Sequence, residues 1–240
     1  MFNRFLSMKI VITGGSKGIG KAIALEFAKN GFDIAICGRN ILSLESLKNE
    51  INNLNNNIKC HIFSCDVSIK SEIIGFGHFV IENLGVPDVI VNNAGVFIPG
   101  EIYNEEDGLL EKMIETNLYS AYYFTKTLLP QLMEQKRGQI FNIASIAGIK
   151  AYANGGSYSI SKFALMGFSK NLREELKPFN IKVCAVLPGA VLTDAWGIID
   201  FPEERLMPVE DIAKSIYDIY SLSDRTVVEE IILRPMLGDL

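Results

Sequence analysis

Near its start the chain reads Lys9-Ile10-Val11-Ile12-Thr13-Gly14-Gly15-Ser16-Lys17-Gly18-Ile19-Gly20. The short apolar run predicts a buried strand, and the glycines after it predict a tight turn. An apolar period typical of a helix follows, and Asn30-Gly31 is a helix-ending signal. A strand, a glycine-rich turn and a helix in this order favour an α/β fold in which the N–H groups at the helix start face an anion.

The remainder of the 240-residue chain alternates apolar runs with helical periods. Further strands are predicted at residues 34–37, 60–64, 89–91, 139–144, 181–187 and 227–233. Further helices are predicted at residues 42–54, 73–84, 105–135, 156–177 and 209–222, where 105–135 is one long bent helix or two, with a late break at Pro130. This alternation indicates one doubly wound parallel sheet of the Rossmann type with helices on both faces. We expect residues 1–240 to form a single domain of this α/β class.

Composition narrows the classes of protein to which the chain could belong. An apolar content of 48% can supply one large core, and a net charge of −5 offers no basic surface for nucleic acid. A small molecule is therefore the expected partner. The chain has no run of about 18 apolar residues to span a membrane. Residues 1–7 are too short for a secretory signal and are interpreted as a leader before the first strand.

The four cysteines, at positions 37, 60, 65 and 184, show no CxxC pairing. This spacing predicts reduced thiols in a cytoplasmic protein and no metal site.

Six unusual segments follow directly after predicted strands. They are the glycine loop, Gly38-Arg39, Asp66, Asn92-Asn93-Ala94-Gly95, Ser145 and Pro188-Gly189. The carboxyl ends of parallel strands share one edge of a sheet, and ligands of such folds bind beyond that edge. We therefore expect these segments to surround one ligand site.

A tyrosine and a lysine stand four residues apart in the predicted helix at 156–177. Tyr158 and Lys162 project from the same face because four residues make about one helical turn. A fixed cation favours the phenolate and lowers the pKa of a tyrosine from about 10, which suits a general acid or base. The alternative is a chance pair on an amphipathic helix.

The residues after the second strand indicate which kind of dinucleotide the glycine loop would bind. The glycine spacing is Gly-x-x-x-Gly-x-Gly rather than Gly-x-Gly-x-x-Gly, and Arg39 stands where an acid would bind a ribose 2′-OH. Asp33 lies at the opposite end of that strand. Arg39 and Lys17 suit a 2′-phosphate, so the sequence predicts NADP(H) over NAD(H). Alternatively, both are ordinary exposed bases.

Taken together, these residues give the chain a resemblance to the short-chain dehydrogenase/reductase family over essentially its whole length. The matching motifs are Thr13-Gly14-x-x-x-Gly18-x-Gly20, Asp66-Val67, Asn92-Asn93-Ala94-Gly95, Asn117, Ser145, Tyr158-x-x-x-Lys162, and Pro188-Gly189 followed by Thr193. Gly189-Ala190-Val191, Trp196-Gly197 and the C-terminal tail look most like the bacterial sepiapterin-reductase-like branch. The tail lacks the Ile-Thr-Gly step and Gly-Gly ending expected of 3-oxoacyl-carrier-protein reductases.

The resemblance implies a role for each matching residue. Ser145 would hold the substrate oxygen, Tyr158 would give or take the proton, and Lys162 would bind the nicotinamide ribose. Asn117 would anchor a water leading to the lysine. The implied cofactor-binding set is Gly14, Ser16, Lys17, Gly18, Ile19, Gly20, Arg39, Asp66, Val67, Asn92, Ala94, Gly95, Tyr158, Lys162, Pro188, Gly189, Val191 and Thr193. Each residue also has a structural alternative, such as a turn residue for Ser145 or a helix cap for Asn117 and Thr193.

The resemblance also implies a short substrate lid at about residues 190–207. Ser145, Tyr158 and Trp196 would line a pocket suited to a flat or modestly apolar carbonyl compound. Three hypotheses stay open: NADPH-dependent reduction of a small carbonyl compound such as a pterin or diketone, 3-oxoacyl thioester reduction, and a non-catalytic NADP-binding regulator. A homo-oligomer through the helices at 105–135 and 156–177 is expected, as a dimer or a tetramer.

Overall fold

The computed structural model describes residues 7–193 and 202–238 and contains one seven-stranded sheet. Its strands are β1 (Lys9–Ile12), β2 (Asp33–Gly38), β3 (Cys60–Ser64), β4 (Val89–Asn92), β5 (Gly138–Ile143), β6 (Ile181–Pro188) and β7 (Glu230–Leu233). All neighbours are parallel, in the order β3-β2-β1-β4-β5-β6-β7. The predicted α/β fold is confirmed, and the strand order reverses between β1 and β4.

Helices cover both faces of the sheet. They are α1 (Gly18–Lys29), α2 (Ile41–Leu54), α3 (Lys70–Asn83), α4 (Leu109–Ile114), α5 (Ser120–Gln135), α6 (Gly156–Leu176) and α7 (Val209–Tyr220). Along β1, Ile10 and Ile12 pack with α1, α2 and α7, whereas Val11 packs with α3, α5 and α6. Because successive side chains of a strand point to opposite faces, a strand covered on both sides must be apolar throughout.

The predicted helix at 105–135 begins later than expected and does not break at Pro130. It runs from α4 through a π-helical turn, Glu115–Tyr119, directly into α5. The predicted break was wrong because Pro130 lies on the exposed side of α5, where the carbonyl group it leaves unpaired can be hydrated. The opposite side buries Phe124, Leu128 and Leu132, and this packing keeps the helix continuous.

A buried polar network joins the centre of the sheet to α5 and α6. The Nδ2 of Asn92 donates to Thr125 (2.9 Å) and to the Oδ1 of Asn142 (2.7 Å). Asn142 in turn donates to Ser169 at 2.8 Å. Buried amides need such partners, so the network fixes how β4 and β5 sit against the two helices.

The described residues contain neither a candidate membrane span nor a candidate metal site. No helix within 7–193 and 202–238 is long and apolar enough to cross a membrane. The same residues contain no group of three or more histidine, cysteine or acidic side chains placed to hold a metal ion. All four cysteines are buried and free.

Candidate active site

The glycine loop after β1 is packed against the end of β4. Gly14 has φ of 65°, and a Cβ there would lie 2.9 Å from the Cα of Ala94. A Cβ on Gly20 would lie 2.5 Å from the carbonyl oxygen of Gly14. The Nδ2 of Asn93 donates to the carbonyl oxygens of Thr13 (3.0 Å) and Gly14 (2.9 Å), so the loop is held by β4.

This loop and the start of α1 fit a phosphate group. The helix begins at Gly18 without an acidic residue in its first turn, and Lys17 precedes it. Its first N–H groups carry the positive end of the helix dipole, and glycines leave room for close approach to the backbone. The geometry therefore fits the pyrophosphate of a dinucleotide.

The ends of β2 and β3 form the neighbouring part of the edge. Ser16 lies against Gly38, where an added Cβ would be 3.3 Å from the serine Oγ, and the Arg39 side chain is exposed beside them. Burial raises the pKa of Asp66, but hydrogen bonds from Ser68 and the charge of Arg39 outweigh this and hold it below the ordinary value. An exposed guanidinium at this position fits a 2′-phosphate.

The four residues predicted as catalytic lie close together beyond β4 and β5. Ser145 follows β5 and lies beside Tyr158, whose pKa its hydroxyl lowers. The Nζ of Lys162 lies 5.7 Å from the centre of the Tyr158 ring and donates to the carbonyl oxygen of Ile143 at 2.9 Å. A Cβ on Gly95 would lie 3.2 Å from the Oδ1 of Asn117 and 3.6 Å from that Nζ.

Burial controls the protonation of the tyrosine and the lysine. It raises the pKa of Tyr158 to about 12, although the Ser145 hydrogen bond pulls in the opposite direction. Burial also lowers the pKa of Lys162 to about 8. The expected lowering of the tyrosine pKa by its lysine neighbour was wrong for this structure. The ammonium is directed at Ile143, and desolvation of the phenolate dominates.

Asn117 lies in the π-helical turn between α4 and α5. Its Oδ1 accepts from the N–H of Val96 (2.8 Å), and its Nδ2 donates to the carbonyl oxygen of Val96 (3.0 Å) and to Ser161 (2.9 Å). Such turns occur often at functional sites. Here the turn places the Asn117 side-chain amide so that it binds both Val96, after β4, and Ser161 of α6.

Two predicted cofactor residues point their side chains away from the edge. Asn92 is engaged with Thr125 and Asn142 in the core, and Val67 is buried among apolar residues. Both residues are predicted to bind the cofactor. Because their side chains pack in the core, that prediction concerns their backbone groups.

A cleft of about 210 Å³ lies at this point. It is lined by Ile19, Asn93, Gly95, Val96, Phe97, Ile143, Ala144, Ser145, Tyr158, Lys162, Pro188, Gly189, Val191 and Thr193. The sequence reasoning missed Phe97, whose ring packs edge-on against Tyr158 with centroids 4.8 Å apart. Its signal was an aromatic residue two positions after the glycine of Asn92-Asn93-Ala94-Gly95.

The two ends of the predicted lid pair with each other. Val191 pairs with Met207, and the N–H of Leu192 donates to the carbonyl oxygen of Met207 at 2.8 Å. Thr193 lies near Gly18, where an added Cβ would be 3.4 Å from its Cγ2. Trp196 lies outside the described residues.

A larger cleft, about 710 Å³, opens at the opposite edge of the sheet. Its cationic lining comprises Lys136, Arg137, Arg173, Lys177, Lys182 and Arg225. Because α5 and α6 end there, their carbonyl groups favour nearby cations, and Arg137 also binds Asp88 at 2.8 Å. None of the predicted site residues lines this cleft.

Comparisons with known proteins agree with this geometry. The family described as short chain dehydrogenase matches residues 8–200. The sepiapterin reductase of Chlorobaculum tepidum is 34% identical over 239 residues, covering 96% of this chain and 97% of that protein.

Two solved structures are similar over nearly the whole chain. An alcohol dehydrogenase from the archaeon Thermococcus sibiricus, complexed with 5-hydroxy-NADP, superposes with a TM-score of 0.90 at 27% identity. The match covers 98% of this chain and 99% of that one. A metagenomic short-chain oxidoreductase in complex with NADP gives a TM-score of 0.83 at 30% identity, covering 97% and 99%.

Proposed function

The chain belongs to the short-chain dehydrogenase family and is an NADP-dependent oxidoreductase, and from that premise we propose that it reduces a carbonyl group of a small molecule to an alcohol. The observation that carries the proposal is that Ser145, Tyr158 and buried Lys162 line one cleft, next to the point between β1 and β4 where the strand order reverses. Ligands of doubly wound folds bind at such a point.

Bound NADPH supplies the hydride that is added to the carbonyl carbon. Tyr158 carries its proton at neutral pH because its pKa is about 12, and it gives that proton to the carbonyl oxygen. Ser145 donates a hydrogen bond to the same oxygen and holds it in place. Lys162 is charged at pH 7, because its pKa of about 8 lies above that pH, and its buried charge favours the phenolate that forms.

The lining of the cleft favours a flat carbonyl compound as the substrate. Phe97 and Ile143 present apolar surface next to Tyr158, and the cleft of about 210 Å³ suits a small molecule. The relative at 34% identity is named for sepiapterin, so a pterin side-chain ketone or a small diketone is the proposed class. A thioester on an acidic carrier protein is the alternative, but the cationic cleft lies at the far edge of the sheet.

The test is NADPH oxidation followed by absorbance with sepiapterin, 1-phenyl-1,2-propanedione and an acetoacetyl thioester in parallel. Turnover of the first or second compound is expected. Removing the proton donor with Tyr158→Phe should lower kcat by about 10²-fold or more while the NADPH Kd stays within about twofold. No turnover of any carbonyl by wild-type protein that binds NADPH would favour a regulator, and thioester turnover alone would favour the alternative.

Three further predictions belong to the same proposal. The chain acts as a single reductase domain with its lid at about residues 190–207. It works in the cytoplasm, in keeping with four free buried thiols. It assembles as a homo-oligomer through α5 and α6, which expose Tyr122 and Phe163.

A further inference from the structure

The helix that carries Tyr158 and Lys162 also carries two serines with the same four-residue spacing, Ser157 and Ser161. Ser161 accepts a hydrogen bond from Asn117 (2.9 Å) and donates one to the carbonyl oxygen of Tyr158 (2.7 Å). Ser157 is 2% exposed and faces a different partner. The serines therefore attach the first two turns of α6 to the chain that precedes them.

The partner of Ser157 is Glu105, 52 residues earlier in the sequence. One carboxylate oxygen accepts from the N–H of Ser157 at 2.8 Å, and the other accepts a short hydrogen bond from its hydroxyl. Gly155, the residue before α6, has no side chain that could cap the helix. The carboxylate of Glu105 takes this role from a distance, and the helix dipole favours a negative charge there.

Two glycines make room for this carboxylate. A Cβ on Gly156 would lie 1.9 Å from the Oε1 of Glu105, and one on Gly100 would lie 2.8 Å from its Cγ. The N–H of Gly100 also donates to the carbonyl oxygen of Asn154 at 3.2 Å. The Glu105 side chain is thus enclosed between its own loop and the start of α6.

The loop at residues 96–105 is consequently held at both ends. At its start, Asn117 binds the N–H and the carbonyl oxygen of Val96. At its end, Glu105 binds Ser157. Between them, Phe97 packs on the ring of Tyr158. Releasing either end removes a restraint that keeps Phe97 against the tyrosine.

We propose that Glu105 is a positioning residue, whose bond to Ser157 fixes the 96–105 loop and keeps Phe97 as the substrate-facing wall beside Tyr158. This inference rests on the proposed function, in which Phe97 and Tyr158 bound the carbonyl substrate. Glu105 does not line the cleft and acts through Ser157 and the loop.

Hydrogen exchange by mass spectrometry tests the attachment without turnover. Glu105→Ala should speed exchange in peptides from residues 96–105 by about fivefold or more, with β4 to β6 unchanged and the NADPH Kd within about twofold. The KM for 1-phenyl-1,2-propanedione should rise on the order of tenfold, with a smaller change in kcat. Glu105→Gln keeps one acceptor and should fall between wild type and Glu105→Ala.

Two comparisons separate this proposal from general destabilisation. Glu106→Ala removes the same charge from an exposed neighbour and should leave loop exchange and KM unchanged. Adding Ser157→Ala to Glu105→Ala should change KM by less than about twofold, because the bond is already gone. Unchanged loop exchange in Glu105→Ala, or faster exchange throughout the sheet, would overturn the proposal. So would a KM in the double variant that rises by the product of the two single-variant changes. A wild type that turns over no carbonyl but shows the loop response would overturn only the proposed function.

Discussion

At the scale of single residues, the positions of Tyr158 and Lys162 are set by their own helix, whereas their pKa values are set by the structure packed around them. The four-residue spacing places Tyr158 and Lys162 on one face of α6 whatever surrounds them. Their pKa values depend on how completely the packed structure buries them. Helix geometry is local, whereas desolvation is a property of the packed structure.

Lys162 should reduce the stability of the folded protein at neutral pH. Its pKa falls from 10.5 to about 8, which corresponds to a cost of about 3 kcal/mol for the buried charge. Lys162→Met removes that cost but leaves the Ile143 carbonyl oxygen without a donor, at about 1 kcal/mol. We expect the variant to be more stable than wild type by about 2 kcal/mol at pH 7, measured by urea unfolding.

The sign of the pH dependence follows from the lowered pKa. Between about pH 8 and 10.5 the folded lysine is neutral while the unfolded one is charged, so wild type gains stability as the pH rises. The advantage of Lys162→Met should therefore shrink at pH 9.5. An advantage of equal size at both pH values would contradict the assignment. Lys112→Met, at an exposed lysine, is the control and should show no such change.

Arg39 should determine which nicotinamide cofactor binds. Arg39→Asp replaces a phosphate partner with a repelling carboxylate that can accept from a 2′-OH. The NADPH Kd should rise by about 10²-fold while the NADH Kd falls or stays constant, measured by fluorescence titration of each nucleotide. Arg225→Asp makes the same charge change at the opposite edge and should leave both values within about twofold. An unchanged NADPH to NADH ratio in Arg39→Asp would refute the assignment.

At the scale of elements, the site is built from a loop after β1, a turn within the helix of α4 and α5, and the start of α6. The glycine loop brings backbone groups closer than side chains would allow, the π-helical turn places the Asn117 amide, and the start of α6 leaves room at Gly156 for the Glu105 carboxylate. The sequence indicated the first and third of these through glycines and helical period. The π-helical turn has no comparable signal, because one extra residue within a continuous helix leaves the apolar pattern nearly intact.

Gly20 should be intolerant of even a methyl group. Its Cβ would lie 2.5 Å from both the Gly14 carbonyl oxygen and the Nδ2 of Asn93, so the loop and the start of α1 must separate. We expect Gly20→Ala to raise the NADPH Kd more than tenfold and to destabilise the protein by about 1–3 kcal/mol, measured by titration and urea unfolding.

Gly167→Ala is the matched control within α6. An added Cβ there meets nothing within 4 Å, and alanine favours a helix interior. This variant should be more stable by about 0.5–1 kcal/mol with unchanged NADPH affinity. Similar losses in both glycine variants would show that the contacts around Gly20 are not the cause.

At the scale of the whole molecule, the two edges of the sheet have opposite characters. The carboxyl edge gathers the turns and the cleft that contains Tyr158, whereas the amino edge holds the larger cationic cleft. Parallel strands and antiparallel helices produce this difference, because helix C-termini collect at the amino edge and attract cations. Cavity size alone would have indicated the wrong edge.

The exposed aromatic surface on α5 and α6 should mediate self-association. Tyr122 and Phe163 are 40% and 46% exposed on the two helices proposed to form the interface, so each would present an aromatic ring to a partner copy. Phe163→Glu should lower the mass measured by sedimentation to that of a smaller assembly or a monomer. Leu42→Glu makes the same change at a side chain that is 71% exposed on α2 and should leave the mass unchanged. A wild type that is already monomeric would refute the proposed interface.

The sequence alone determined the order of strands and helices, the parallel sheet and the edge at which the functional residues gather. These follow from apolar period, glycine placement and strand ends, which are local properties. Tertiary structure alone decided that Asn92 turns into the core, that Phe97 packs on Tyr158, that Glu105 caps α6 from 52 residues away, and that burial raises the tyrosine pKa although a lysine stands one turn away. Each of these depends on which distant segments meet and how much water they exclude, and neither quantity is encoded in a short stretch of sequence.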